Sequence, residues 1–153
     1  MIIPLRVHKI RGRLAELRIL ASCVVPKSRT GLMPIEFVFD TGSSRSFISY
    51  KDALRFNLPI NSFRLLEYGY IAGSTYGFHE FMHGVRFAFK DERGELARLS
   101  MSSFCVVKPT KIRPGARTDA ERLPSILGLD FLVQNGLSFH FDPGSETAWF
   151  EKK

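Results

Sequence analysis

Phe37-Val38-Phe39-Asp40-Thr41-Gly42-Ser43-Ser44 is an apolar, aromatic-rich run that stops abruptly at an acid and a glycine. Phe and Val suit a pleated, half-buried surface, so the run reads as a buried strand. Gly42 suits a tight turn, where the backbone bends sharply or lies close to a ligand. The strand therefore delivers Asp40 to the mouth of a turn. A carboxylate beside so much apolar surface is costly unless it is hydrogen-bonded or does chemistry.

The flanking sequence organises itself around this strand. Leu14 to Val25 is apolar with interspersed polar residues and reads as one or two strands. Pro26-Lys27-Ser28-Arg29-Thr30-Gly31 is a turn by composition, so the strand carrying Asp40 closes a hairpin. Met1 to Pro4 reads as a short apolar lead. After the turn, Ser49-Tyr50-Lys51-Asp52 has the form of a capping box opening a short helix. Ala53, Leu54 and Phe56 are expected to face inward, and Asn57 and Pro59 to end the helix. Leu65 to Ile71, the small residues Ala72-Gly73-Ser74-Thr75 and the apolar stretch from Tyr76 to Phe89 read as one long hairpin with a flexible tip. Leu96 to Val107 is a further strand region, and Lys108 to Arg122, rich in Pro and cations, reads as a long exposed loop.

A second stretch speaks to the first. In Leu123-Pro124-Ser125-Ile126-Leu127-Gly128-Leu129-Asp130-Phe131-Leu132, two apolar residues and a glycine precede a short helix ending near Asn135-Gly136. Leu137 to Asp142 then alternates, Pro143-Gly144-Ser145 turns, and Thr147 to Phe150 pairs back.

Asp-Thr-Gly after an apolar strand, with the later apolar-apolar-Gly stretch, resembles the aspartic proteases. A single copy in a chain of 153 residues resembles the retropepsin branch, and the order of elements matches it from about Leu14 to Phe150. Retroviral members typically carry an arginine after the second glycine. Leu129 stands there, so Gly128-Leu129-Asp130-Phe131-Leu132 looks more like the cellular and prokaryotic members.

The resemblance implies an all-β acid-protease half: a closed barrel with a flap hairpin and one or two short helices, paired into a two-fold homodimer. It implies that Asp40 is catalytic, with Thr41, Gly42, Ser43, Ile126, Leu127 and Gly128 supporting the active turn. Gly42 and the flap-tip residues Ile71, Ala72 and Gly73 would touch a peptide or protein substrate. The chemistry needs two carboxylates sharing one proton, and the chain holds one Asp-Thr-Gly, so the second would come from a second copy. No metal or cofactor is implied.

Two other readings compete. His79-Glu80-Phe81-Met82-His83 fits H-E-x-x-H, in which histidines on one helix face bind zinc and the glutamate activates water. Gly77, Gly84 and the alternation of Val85 to Phe89 point to strand instead. In a strand the two histidines lie about 13 Å apart at ~3.3 Å per residue, too far for one ion. The other reading is a dimer of the same fold that binds peptide without turnover.

Composition sets the remaining bounds. The length suits one domain over 1–153 with a real core. A net charge of +7 arises from scattered Lys and Arg, which reads as a solvated basic surface rather than a nucleic-acid groove. Cys23 and Cys105 sit far apart in apolar runs, as buried free thiols in a reducing compartment do. No apolar run reaches membrane-spanning length and no signal core opens the chain, so a cytoplasmic location is expected. His8, His140 and Trp149 carry no local pattern beyond surface or packing positions.

Overall fold

A computed structural model of the chain describes residues 1–111 and 122–153. Nine strands precede the second informative stretch: β1 (Ile2–Ile10), β2 (Arg13–Val24), β3 (Met33–Phe39), β4 (Phe47–Ile48), β5 (Arg64–Ile71), β6 (Ser74–Glu80), β7 (Val85–Lys90), β8 (Leu96–Met101) and β9 (Cys105–Pro109). They are followed by β10 (Ser125–Leu127), helix α2 (Leu129–Asn135), β11 (Ser138–Asp142) and β12 (Thr147–Glu151); helix α1 (Tyr50–Arg55) lies after β4. The fold is mostly β.

Among the described residues the strands form one open, mixed sheet in the order β11-β12-β1-β2-β3-β10-β4-β9-β6-β5, with β7 pairing β2 and β8. The barrel expected from the sequence does not close: β11 and β5 are free edges of that path. β1 serves two neighbours in turn. Its first half, Ile2 to Leu5, pairs with β12, and its second half, Arg6 to Ile10, pairs with β2. The short lead expected at Met1 to Pro4 is thus the start of a nine-residue strand. Ile3 and Leu5 are buried while Pro4 and Arg6 are exposed, an alternation the charged residues Arg6, His8 and Lys9 concealed.

The β2–β3 hairpin pairs Cys23 with Met33 through Leu17 with Phe39, and so aims the C-terminal end of β3 at the site. β3 alternates cleanly: Met33, Ile35, Phe37 and Phe39 are buried, and Pro34 and Glu36 are exposed. Its inward face meets a cluster of rings. Phe37 contacts Phe87 and Phe104 edge-on at 6.0 and 6.4 Å, Phe87 contacts Phe131 at 5.8 Å, and Phe131 meets Phe150 at 5.6 Å. Such pairs stabilise beyond the area they bury, by about 0.5–1.5 kcal/mol each.

Helix α1 begins as its capping box requires, with the Ser49 side chain accepting a hydrogen bond from the Asp52 N–H. Ala53 is buried as expected, but Leu54 is exposed, because a helix of six residues has room for only a narrow inward stripe. The long hairpin is also shorter than the sequence implied. β6 stops at Glu80, and the chain turns through Met82–Gly84 before β7 joins β2 and β8. Gly84 permits that turn: its φ is +67°, and a Cβ there would lie 2.0 Å from the Met101 carbonyl oxygen. β8 and β9 divide the region expected as one strand, and β9 runs on through Lys108 and Pro109, shortening the expected loop. The rest of that loop, 112–121, lies outside the described residues.

Candidate active site

Three short elements build the site. β10 lies between β3 and β4, parallel to β3 with Leu127 beside Phe39, and antiparallel to β4 with Ile126 opposite Phe47. The turn from Asp40 to Ser46 connects β3 to β4 and so must arch over the end of β10. The Asp40 N–H donates to the Leu127 carbonyl at 3.0 Å, continuing the β3–β10 ladder. The Leu129 N–H donates to the Ser43 carbonyl at 2.9 Å from the other side.

Gly128 sits directly beneath this arch. A Cβ on it would lie 2.5 Å from the Ser43 carbonyl oxygen and 3.1 Å from Arg45 backbone atoms. No other residue fits there without moving the turn. Below it, Ser46 is buried and doubly used. Its hydroxyl accepts from the Gly128 N–H at 2.8 Å and donates to Asp130 at 2.5 Å, while its N–H donates to the second Asp130 oxygen at 2.9 Å. A second buried group extends the brace to α1: Ser125 donates to Asp52 at 2.6 Å and accepts from the Ser49 N–H at 2.9 Å. Neither Ser46 nor Ser125 stood out in the sequence. A buried hydroxyl is legible only once its partners, some 75 to 85 residues away along the chain, are in place.

Within the turn, the Gly42 N–H donates to Asp40 Oδ1 at 2.8 Å and the Ser43 N–H to the Asp40 carbonyl at 3.1 Å. This is an Asx-type turn, in which the carboxylate fixes its own backbone two residues on. The Ser43 hydroxyl donates to the Arg45 carbonyl at 2.7 Å. Asp40, Thr41 and Gly42 are exposed, so the carboxylate is not enclosed by apolar surface within one chain, as the sequence implied. The buried strand ends one residue earlier, at Phe39.

Above the turn, β5 and β6 form a hairpin with Ile71 paired to Ser74. The two residues between them, Ala72 and Gly73, have φ of +47° and +86°. Positive φ at both central positions is the geometry that two-residue hairpin turns require. A cleft of about 600 Å³ runs beneath this hairpin, lined by Asp40, Gly42, Ser43, Ile71, Ala72 and Ile126 among others. The structure thus gathers these sequence-derived residues in one cleft. Leu127 and Gly128 are buried behind the turn, Thr41 stands exposed on it, and Gly73 occupies the hairpin tip.

Among the cleft-wall residues that the sequence missed, five stand out. Phe47, Phe78 and Leu123 make it apolar, and Arg45 faces Glu67 across it, Nη1 to Oε1 2.6 Å. The Arg45 guanidinium lies over the Phe78 ring, 5.4 Å from its centre. Phe47 and Phe78 also meet edge-on at 6.1 Å, over a second small core that includes Cys105, Val107 and Ile126. Burial pushes the Cys105 thiol up to about 11, against a smaller opposing effect of Arg45, so it stays protonated and unreactive at neutral pH. Cys23, likewise free and buried, is raised further, chiefly by burial.

The zinc motif does not assemble. His79 and Glu80 lie on strand β6, paired with Val106 and Cys105, and His83 is exposed in the following turn. No helix places the two histidines on one face, and among the described residues no cluster of three His, Cys, Asp or Glu is placed to hold a metal. His79 is half-buried rather than a free flap side chain. His140 lies on the edge strand β11, where it stacks on Trp149 at 5.2 Å and lies 3.0 Å from Glu151. No helix among the described residues is long and apolar enough to cross a membrane.

The architecture is similar to that of a solved protein. The crystal structure of a retropepsin-like aspartic protease from Rickettsia conorii superposes with a TM-score of 0.58 over 98% of this chain and 88% of that one, at 14% sequence identity. At that identity the likeness is one of fold. No protein-family model matches the sequence, and no curated protein matches it.

Proposed function

We propose that the chain is an aspartic endopeptidase of the retropepsin-like class, working as a two-fold homodimer on extended peptide. One observation carries the reading. The Asp-Thr-Gly turn is clamped over Gly128 at the floor of a cleft roofed by a hairpin, with Asp40 exposed to it. What supports the reading is the combination of an exposed carboxylate in a cleft with a turn wedged over Gly128 and braced by the buried Ser46, which a plain surface turn does not require.

In this mechanism Asp40 of each copy faces the other across the two-fold axis. Two carboxylates so close share a proton. The ionised one takes a proton from a water held between them, and the protonated one donates to the scissile carbonyl oxygen. Water attacks the carbonyl carbon directly, and the resulting tetrahedral species collapses with proton transfer to the leaving nitrogen. Thr41 is exposed on the turn, where it would meet the partner's turn across the axis. Ile71, Ala72 and Gly73 would hold the peptide from above through backbone hydrogen bonds, the mode by which an extended strand adds to an exposed edge. β5 is such an edge.

The test is Asp40→Asn. Peptide cleavage falls by three orders of magnitude or more, roughly the scale for loss of a central acid–base group, while sedimentation still reports a dimer. Undiminished cleavage by this variant, or cleavage by a stable monomer, overturns the reading.

A further inference from the structure

Arg45 and Glu67 are the only ion pair that the cleft wall holds among the described residues. They join the two halves of the site, since Arg45 follows the catalytic turn and Glu67 belongs to the roofing strand β5. The two side chains are unequal. Arg45 is 38% exposed, against 57% for Glu67, and its Nη1 is buried. Arg45 is also fixed by the Phe78 ring beneath it, whereas Glu67 reaches it from an exposed strand. Although Nη1 approaches Glu67 to 2.6 Å, it lacks the aligned geometry of a hydrogen bond. The pair is therefore a partly buried cation packed on a ring, with a more exposed counter-ion that reaches its buried nitrogen without an aligned hydrogen bond.

We infer that Arg45 selects substrates: the cleft takes peptides bearing an acidic side chain near the scissile bond, and that carboxylate replaces Glu67 on Arg45. The inference rests on the peptide-cleaving reading of the same cleft. Physical chemistry favours the exchange in this direction. A partly desolvated guanidinium left unpaired is costly, so a substrate that displaces Glu67 must supply another anion or forgo the gain. A guanidinium also receives a carboxylate with two parallel donors, a better match than the present one. Freed Glu67 returns to water at little cost, because it is already mostly exposed. Phe47, Phe78, Ile71 and Leu123 share the cleft wall with Arg45, and a charge pair beside apolar surface is less screened than one in open water. The net charge of +7 draws acidic peptides toward the molecule at low salt.

The experiment profiles cleavage of a mixed peptide library by the wild type, Glu67→Gln and the exchanged pair Arg45→Glu with Glu67→Arg. The wild type favours Asp or Glu at one position flanking the cut, by roughly three- to tenfold over Gln. Glu67→Gln sharpens that preference, because the internal competitor is gone. The exchanged pair inverts it toward Lys or Arg at the same position. A second arm needs no turnover: calorimetry compares two peptides, alike except for Glu or Gln at that position, on the Asp40→Asn protein. Tighter binding of the Glu peptide supports the inference even if nothing is cleaved, in which case only the protease reading fails. A cleavage profile indifferent to charge, or one unchanged by the exchange, overturns the inference, as does equal binding of the two peptides.

Discussion

The turn that carries Asp40 and the hairpin that roofs it are built on opposite principles. The turn is held from below by backbone hydrogen bonds to Leu127 and Leu129 and by the buried Ser46 hydroxyl, which joins Gly128 to Asp130. The hairpin is held by the ladders that β6 makes with β5 and with β9 and by the small core under Phe78, while its outer strand β5 is largely exposed. Tyr68 and Tyr70 are 63% and 76% exposed. Acid–base chemistry needs a carboxylate fixed in place, because misplacement by an ångström costs rate. A roof that admits a peptide needs the reverse, few buried contacts and low local stability. On the proposed function, the difference between the two regions follows from what each would have to do.

The sharpest way to break this comparison is Gly128→Ala. A methyl group 2.5 Å from the Ser43 carbonyl must push the Asp40 turn off β10. A loss of about 3 kcal/mol or more in denaturant unfolding is expected, at the upper end for overpacking against backbone that cannot give way. Peptide cleavage should fall further than stability alone explains. If the variant unfolds at the wild-type midpoint, the turn is not wedged as described and its rigidity has another source.

Ser46→Ala is the next largest. It leaves the Gly128 N–H without its acceptor and the Asp130 carboxylate without its hydroxyl donor, both in partly or fully buried surroundings. A cost of about 2 kcal/mol is expected for such orphaned groups. Double-mutant analysis with Asp130→Asn sharpens the point, since residues in one hydrogen-bonded network give non-additive losses. Additive losses would mean that Ser46 and Asp130 act separately, and the brace would reduce to the glycine alone.

The same contrast governs what could be read from the sequence. The places of Asp40 and Gly42 were legible because a carboxylate at a strand end and a tight turn are demands that few residues meet; Gly128 stood out only through the resemblance of its stretch to a family signature, and the contact that leaves no room for Cβ emerged with the fold. The order of elements and the helix caps at Ser49 and Gly136 were legible for the same reason as Asp40 and Gly42. The Ser46–Asp130 pairing was not, because serine and aspartate are at home in any loop and nothing local says they meet. The limits of the hairpin were misread because apolar residues recur along the whole of Tyr76 to Phe89, while the break at Met82–Gly84 is dictated by the approach of Met101 from another strand. The division of β1 between β12 and β2 is a property of the sheet, not of the residues in the strand. Arg45 and Glu67 each read as one more surface charge until the fold set them face to face.

The smallest expected effect belongs to the hairpin tip, and it has the opposite sign. Ala72 holds a φ of +47°, where its Cβ crowds the backbone at a cost of roughly 1 kcal/mol or somewhat more. Ala72→Gly removes that strain but also enlarges the conformational freedom of the unfolded chain, which takes back part of the gain. A net stabilisation of no more than about 0.5–1 kcal/mol should remain, visible as slower amide exchange in β5 and β6 rather than as a large shift in global unfolding. Because the hairpin opens without disturbing the brace, exchange at Leu127 and Leu129 should be unaffected. If protection rose equally in both regions, turn and hairpin would be one cooperative unit, and the division of labour between a rigid floor and a yielding roof would have to be abandoned.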